Sequence, residues 1–263
     1  MTRTRLIALA IGAVALAPAV ALLPGGRSGA GASSPGIVPG GLPRPVRPAF
    51  TPGPPQALST RFLTRWAPVR RAVAARTRPE AGAAVVARVP TRTSDGTANI
   101  VVALEHRSDH AGGVWVRVSL ATLPNGRTGW VPRSALGGYG TVDTHLVVDL
   151  ERLTATLLKR GRIVFSARVG VGQTRWPTPR GRFYVRDQLT RYASPTYGPV
   201  AFGTSARSAT LTDWPGGGYV GIHGTDQPQL IPGRISHGCI RMRNADILKL
   251  ARRMPVGTPI TVR

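Results

Sequence analysis

The chain has a single cysteine, Cys239, in the run SHGCIRM at 236–242, and a histidine, His223, sixteen positions before it in IHGT at 222–225. A thiol and an imidazole are the materials of nucleophilic acyl transfer. The thiolate attacks a carbonyl, and the imidazole takes its proton or pairs with it. Gly238 removes a side chain just before the thiol, so the backbone N–H groups of Gly238 and Cys239 can approach a developing oxyanion. Gly224 lets the chain turn after His223, and its carbonyl can then fix the imidazole tautomer. Asp226 is the nearest acidic candidate for a third partner. The bland reading of a lone cysteine is a buried, inert thiol. His106, His110 and His145 show no partner pattern and read as surface or strand residues, and His237 reads as structural rather than as the base. One cysteine excludes an intramolecular disulfide scaffold, a Cys-rich zinc site and an iron–sulfur cluster. No metal or cofactor is expected.

These residues need a scaffold, and the chain is long enough to build one. Its 263 residues suit one or two domains with a core that needs no disulfides. The pattern is mainly β. From 61 to 137, alternating runs at 84–89, 100–104, 114–120 and 128–131, separated by SDG and PNG, predict short antiparallel strands. From 141 to 263, strands are expected at 145–150, 155–159, 163–172, 181–187 and 218–224, and at the C-terminal TPITVR. One helix is expected after the cysteine, with Asn244 as its N-cap, Asp246 in the first turn, Arg252 and Arg253 in the last, and Pro255 beyond the end.

Residues 1–23 carry the parts of an export signal: Arg3 and Arg5, an uncharged stretch from Leu6 to Leu16, and Ala19-Val20-Ala21 as a cleavage site. Read instead as an uncleaved membrane anchor, Leu6 to Leu23 is 18 residues without a charge, at the short limit of a span. Either reading places the rest of the chain outside the cytoplasm, in the cell envelope or secreted. Residues 24–60 hold much of the Gly and Pro and read as a disordered spacer. The net charge of +24 is spread along the chain, with no zinc-finger or RNA-binding motif beside it. That pattern disfavours nucleic acid and favours an anionic envelope partner.

The segment GGVWVRVSLATLPNGRTGWVPRSAL resembles the bacterial SH3-like domain, with Trp115 and Trp130 as core or groove residues. The second part is similar to the L,D-transpeptidase catalytic domain. The resemblance rests on IHGT, SHGCIRM, VGVGQTRWPTPRGRFYV at 169–185 and YGPVAFGT at 197–204, in consistent order over about 120 residues. Trp176 departs from it, where a small polar residue is common. The implied fold is a small SH3-like β-barrel followed by an L,D-transpeptidase-type β-sandwich with one or two short helices.

The resemblance implies Cys239 as nucleophile, His223 as base, and Gly224 as the residue whose carbonyl orients that base. It also implies an oxyanion hole in the backbone around His237 and Gly238. Ser236 and Arg241 are implied as substrate-binding polar positions beside the nucleophile, with Arg241 either holding a donor carboxylate or forming a structural bridge. Tyr219 and Trp214 are candidates for the substrate cleft or for core packing. The implied partners are peptidoglycan stem peptides and cell-wall polymer. The implied reaction forms a thioester acyl-enzyme and then a cross-link between stems, with acylation of Cys239 by carbapenems as a corollary. Water or a protein amine as acceptor gives an L,D-carboxypeptidase or a wall-attachment enzyme. A non-catalytic wall-binding module is the alternative of another class. If the first part only positions the enzyme on the wall, deleting 61–136 weakens wall binding and spares activity on soluble peptides.

Overall fold

The computed structural model describes residues 53–190, 194–211 and 218–263. The export segment 1–23, most of the proposed spacer and Trp214 lie outside them.

Alternating β-branched residues in the first part build one antiparallel sheet. Its strands are β1 (Gln56–Ala57), β2 (Thr64–Pro68), β3 (Val73–Arg76), β4 (Val85–Val89), β5 (Ile100–Ser108), β6 (Val114–Ser119), β7 (Thr128–Pro132) and β8 (Gly140–Val142). They run in the order β4-β3-β7-β6-β5-β2-β8, with β1 on β5. Val101, Ala103, Val116, Val118 and Val131 point to one side and form its core. Trp115 and Trp130 are both buried, and the Trp115 indole donates to Asp109 at 2.8 Å. β8 pairs with β2, so this sheet extends past 137, where the sequence pattern places the end of the first part.

The second sheet holds β9 (Thr144–Asp149), β10 (Thr154–Lys159), β11 (Arg162–Arg168), β12 (Gly170–Gly172), β13 (Gly181–Leu189), β14 (Ala201–Arg207), β15 (Tyr219–His223), β16 (Gly233–Ser236), β17 (Ile240–Arg241) and β18 (Pro259–Val262). Their order is β11-β10-β9-β18-β13-β14-β15-β17-β12-β16. The expected strand at 163–172 is two strands. β11 pairs with β10, whereas β12 leaves for β16 and β17. The helix α1 (Asn244–Ala251) presses Ile247 and Leu250 into the core with Leu146, Leu157, Phe202 and Ile260. Asn244 is not its cap. Arg243 precedes the helix without a side-chain cap, and the Asn244 amide oxygen instead accepts the Thr225 N–H at 2.9 Å.

Both sheets belong to one compact unit. Trp66, Ile100, Val102 and Leu104 of the first part pack on Tyr184 and Val256 of the second. The Tyr184 hydroxyl is buried and donates to the carbonyls of Ile100 (3.3 Å) and Ser119 (3.4 Å). Asp187 accepts the Thr97 hydroxyl at 2.8 Å. The Asn125 amide donates to the Arg207 carbonyl at 2.7 Å and accepts the Arg207 N–H at 3.0 Å, so one side chain caps the end of β14. The first part therefore completes the hydrogen bonding of the second at several buried points.

Candidate functional site

β15 and β17 are parallel neighbours, with Ile222 beside Ile240 and His223 beside Arg241. Side chains alternate across a strand. Val220, Ile222 and Ile240 therefore enter the core, while Tyr219, Gly221, His223 and Arg241 share the opposite face. Cys239 joins that face just before β17, and its Sγ accepts the Gly221 N–H at 3.3 Å. The parallel pairing thus carries a sequence separation of sixteen into a side-by-side arrangement. A Cβ at position 221 would lie 3.9 Å from Cys239 Sγ and 3.9 Å from His223 Cδ2, so the absent side chain of Gly221 leaves the space between thiol and imidazole.

The imidazole is held on two sides. Its Nδ1 lies 2.6 Å from the Gly224 carbonyl oxygen. That oxygen can only accept, so Nδ1 carries the proton and Nε2 is left as the basic nitrogen. Tyr197, in a single 3-10 turn Pro195–Tyr197, packs its ring on the imidazole at a centroid distance of 4.6 Å. Asp226, the acidic candidate, is exposed and is not that partner. Burial pushes His223 down to about 4, against a smaller opposing effect of the Gly224 carbonyl. Burial pushes the Cys239 thiol up, while the Gly221 N–H and the Arg241 charge work to lower it. The resting pair is therefore a neutral thiol beside a neutral imidazole.

The turn before the thiol differs from the expected arrangement. Gly238 takes φ +113°, which a side chain would strain. Ser236 is fully buried. Its hydroxyl donates to the Cys239 carbonyl at 2.5 Å and accepts the Gly238 N–H at 3.1 Å. Two expectations change in consequence. The Ser236 hydroxyl is engaged in bracing the nucleophile turn, although Ser236 still lines the cleft, and the Gly238 N–H is already spent inside the turn rather than offered to an oxyanion. Thr178 completes the brace, donating to the Gly238 carbonyl at 2.8 Å and accepting the Gly172 N–H at 2.9 Å. His237 is exposed and packs its ring, tilted by 44°, against Trp176 at a centroid distance of 4.1 Å.

A cleft of about 200 Å3 opens over this face, bounded by Tyr197, Tyr219, His223, His237, Cys239 and Arg241. The Nε of Arg241 is buried there without a hydrogen-bond partner, and among the described residues no carboxylate reaches it as an ion pair. Among the described residues the structural-bridge reading of Arg241 has no partner acid. The Tyr219 hydroxyl donates to the Ala121 carbonyl at 3.1 Å, and the guanidinium carbons of Arg186 and Arg207 lie 4.2 and 4.9 Å from its ring centroid. His145 bonds Thr261, His106 bonds Gln56, and His110 is exposed.

The sequence reading did not single out Tyr197, Thr178, Gly221 or Asn244 for the site. Tyr197 and Thr178 lie inside the runs YGPVAFGT at 197–204 and VGVGQTRWPTPRGRFYV at 169–185, which are the available signal. Gly221 and Asn244 act through neighbours brought in by the fold.

A family model, the YkuD L,D-transpeptidase catalytic domain, matches residues 143–262, a span that contains both Cys239 and His223. The YkuD protein of Bacillus subtilis is 34% identical over 122 residues, covering 46% of this chain and 67% of that protein. The chain belongs to the L,D-transpeptidase family. The YkuD protein of Bacillus licheniformis is 35% identical over the same shares. A solved L,D-transpeptidase structure from Enterococcus faecium is 28% identical, covers 46% of this chain and 49% of that chain, and has a TM-score of 0.36. The chain thus spans about half the length of that solved relative. Membership of an L,D-transpeptidase family makes the second part an acyltransferase by kind.

Two expected results follow from this geometry. Gly221→Ala introduces a methyl whose contacts are ordinary, the shortest 3.4 Å to the Phe202 carbonyl. The variant is expected to fold, with a thermal midpoint close to that of the parent, and to acylate about 100-fold more slowly, the usual cost of disturbing reacting groups. An unchanged rate contradicts that use of the gap. The second result concerns acid stability. His223 binds a proton less readily folded than unfolded, so its contribution is present above pH 6.5 and is lost as pH falls toward 4. Urea melts should show about 3 kcal/mol of this loss between pH 7 and 4, absent in His223→Gln. Equal pH slopes in the two proteins would remove His223 as its source.

Proposed function

We propose that the protein is a peptidoglycan L,D-transpeptidase that works through a thioester on Cys239. The observation that carries the reading is the placement of Cys239 Sγ on the Gly221 N–H, next to an imidazole whose Nδ1 is tied to the Gly224 carbonyl. His223 Nε2 takes the thiol proton as sulfur attacks the carbonyl of the third stem residue. General-base assistance suits a thiol that burial keeps protonated. The Gly221 N–H stabilises the developing thiolate. The N–H of Cys239 is the donor assigned to the oxyanion, since the Gly238 N–H is engaged by Ser236. The tetrahedral adduct collapses, the imidazolium returns the proton to the departing amine, and D-alanine leaves. The side-chain amine of a second stem then attacks the thioester, gives its proton to His223, and releases the cross-linked product and the thiol. Arg241, with its unpartnered Nε in the cleft, is proposed to hold a carboxylate of the donor stem.

The first part, read as SH3-like, is proposed to contact wall polymer, helped by the chain's positive charge. The N-terminal segment is proposed to place the enzyme outside the cytoplasm, either secreted or anchored. Incubating the full chain with a disaccharide tetrapeptide tests the reaction. Loss of D-alanine with a cross-linked dimer is the expected outcome. Tripeptide without dimer would make the enzyme a carboxypeptidase, and unchanged substrate with folded protein would favour a binding module.

A further inference from the structure

Among the described residues, Arg186 is the only arginine or lysine that is buried, at 4% exposed. Its Nε has no hydrogen-bond partner, and among the described residues no carboxylate lies within ion-pair distance of it. A buried guanidinium in that condition is costly, because it has left water without gaining a direct ion pair. The acids nearby do not supply one. Asp187 spends its oxygens on the Gly203 N–H at 2.9 Å and the Thr97 hydroxyl at 2.8 Å. Asp95 is held above its usual range by burial and by Asp187; the Arg186 charge opposes that rise only in part, and no direct ion pair joins the two. What supports the Arg186 cation is the Tyr219 ring, 4.2 Å from the guanidinium carbon.

Arg186 lines a pocket of about 60 Å3 between the two parts, with Arg88, Asn99, Thr122, Tyr184 and Tyr219 around it. At about 30 Å3 per water, that volume takes a carboxylate and not a sugar. Arg88 adds positive charge. Tyr219 walls this pocket and also the catalytic cleft. Along β15, Tyr219 lies about 7 Å from Gly221, the residue in contact with the Cys239 thiol. A peptide passing along Tyr219 can therefore present an amine at the cleft and an end group at Arg186.

We propose that Arg186 is a carboxylate-binding residue and that its ligand is the free C-terminal carboxylate of the second, accepting stem peptide. The first part then forms one wall of the acceptor site. This inference rests on the transpeptidase reading and extends it from the nucleophile to the acceptor.

The test uses the full chain carrying Cys239→Ala, so that nothing turns over, labelled to show the arginine Nε–H groups. Burial protects the Arg186 Nε–H from exchange, and its resonance is assigned by its loss in Arg186→Lys. The probes are a stem tetrapeptide ending in D-alanine, the same peptide as its C-terminal amide, and acetate. The resonance is expected to shift with the acid form, with the amide binding at least about tenfold more weakly, as one lost charge-assisted pair implies. No shift with the acid, or an equal shift with the amide, overturns the proposal. Saturation by acetate at the same concentration, with no gain from the peptide, overturns the stem peptide as the source. Failure of the transpeptidase reading is seen separately, as a missing acyl adduct on the protein with Cys239 intact.

Discussion

Replacing His223 with glutamine is expected to slow acylation at neutral pH by about 10²- to 10⁴-fold, the usual worth of a general base. Burial keeps Cys239 protonated and His223 neutral, so the thiol has no charge until the imidazole accepts its proton. In the variant only thiolate formed by solvent can react. Its rate should climb about tenfold per pH unit through the alkaline range, whereas the parent stays flat above the region where the imidazole becomes neutral. The pH–rate profile of acylation by a carbapenem, followed as adduct mass, separates the two cases. A variant that acylates at the parent rate at pH 7 would mean that the thiolate forms without His223.

Deleting residues 61–136 is expected to abolish activity on soluble stem peptides, not only on the wall. This reverses the expectation drawn from the sequence, which treated the first part as a detachable tether. Tyr184 and Val256 would lose their cover, and burying two such side chains is worth roughly 4 kcal/mol. The Tyr184 hydroxyl, Asp187 and the end of β14 would lose partners supplied by the Ile100 and Ser119 carbonyls, Thr97 and Asn125. The Tyr219 hydroxyl would lose the Ala121 carbonyl at the start of the strand that ends in His223. Against a typical total of about 5–15 kcal/mol, the truncated chain should melt more than about 10 °C lower. Full activity on soluble peptides after the deletion would restore the tether view.

The thiol and imidazole were legible because residue type and spacing survive in one dimension. So were the longer strands, where β-branched residues alternate over five or more positions, as in 145–150 and 181–187. The short strands were not. β17 has two residues and no pattern of its own, yet its parallel pairing with β15 sets the distance between Cys239 and His223. Ser236 was assigned to substrate because it is polar and adjacent to the nucleophile; its hydroxyl is consumed by the turn that Gly238 makes possible. Asparagine favours helix caps, but the Asn244 amide oxygen accepts the Thr225 N–H in the loop after His223. The buried contacts between the parts were invisible for the same reason. Tyr184, Arg186 and Tyr219 sit in ordinary strand patterns, and only the packing of one sheet on the other decides which of their faces is covered.

The account stands on a covalent bond to one sulfur. Intact-mass measurement of the full chain mixed with a disaccharide tetrapeptide, beside Cys239→Ala, tests it most directly. The account predicts a transient adduct equal to the stem minus D-alanine, mapped to the peptide containing Cys239 and absent from the variant. Product formation by a folded Cys239→Ala protein, or an adduct on any other residue, would contradict it.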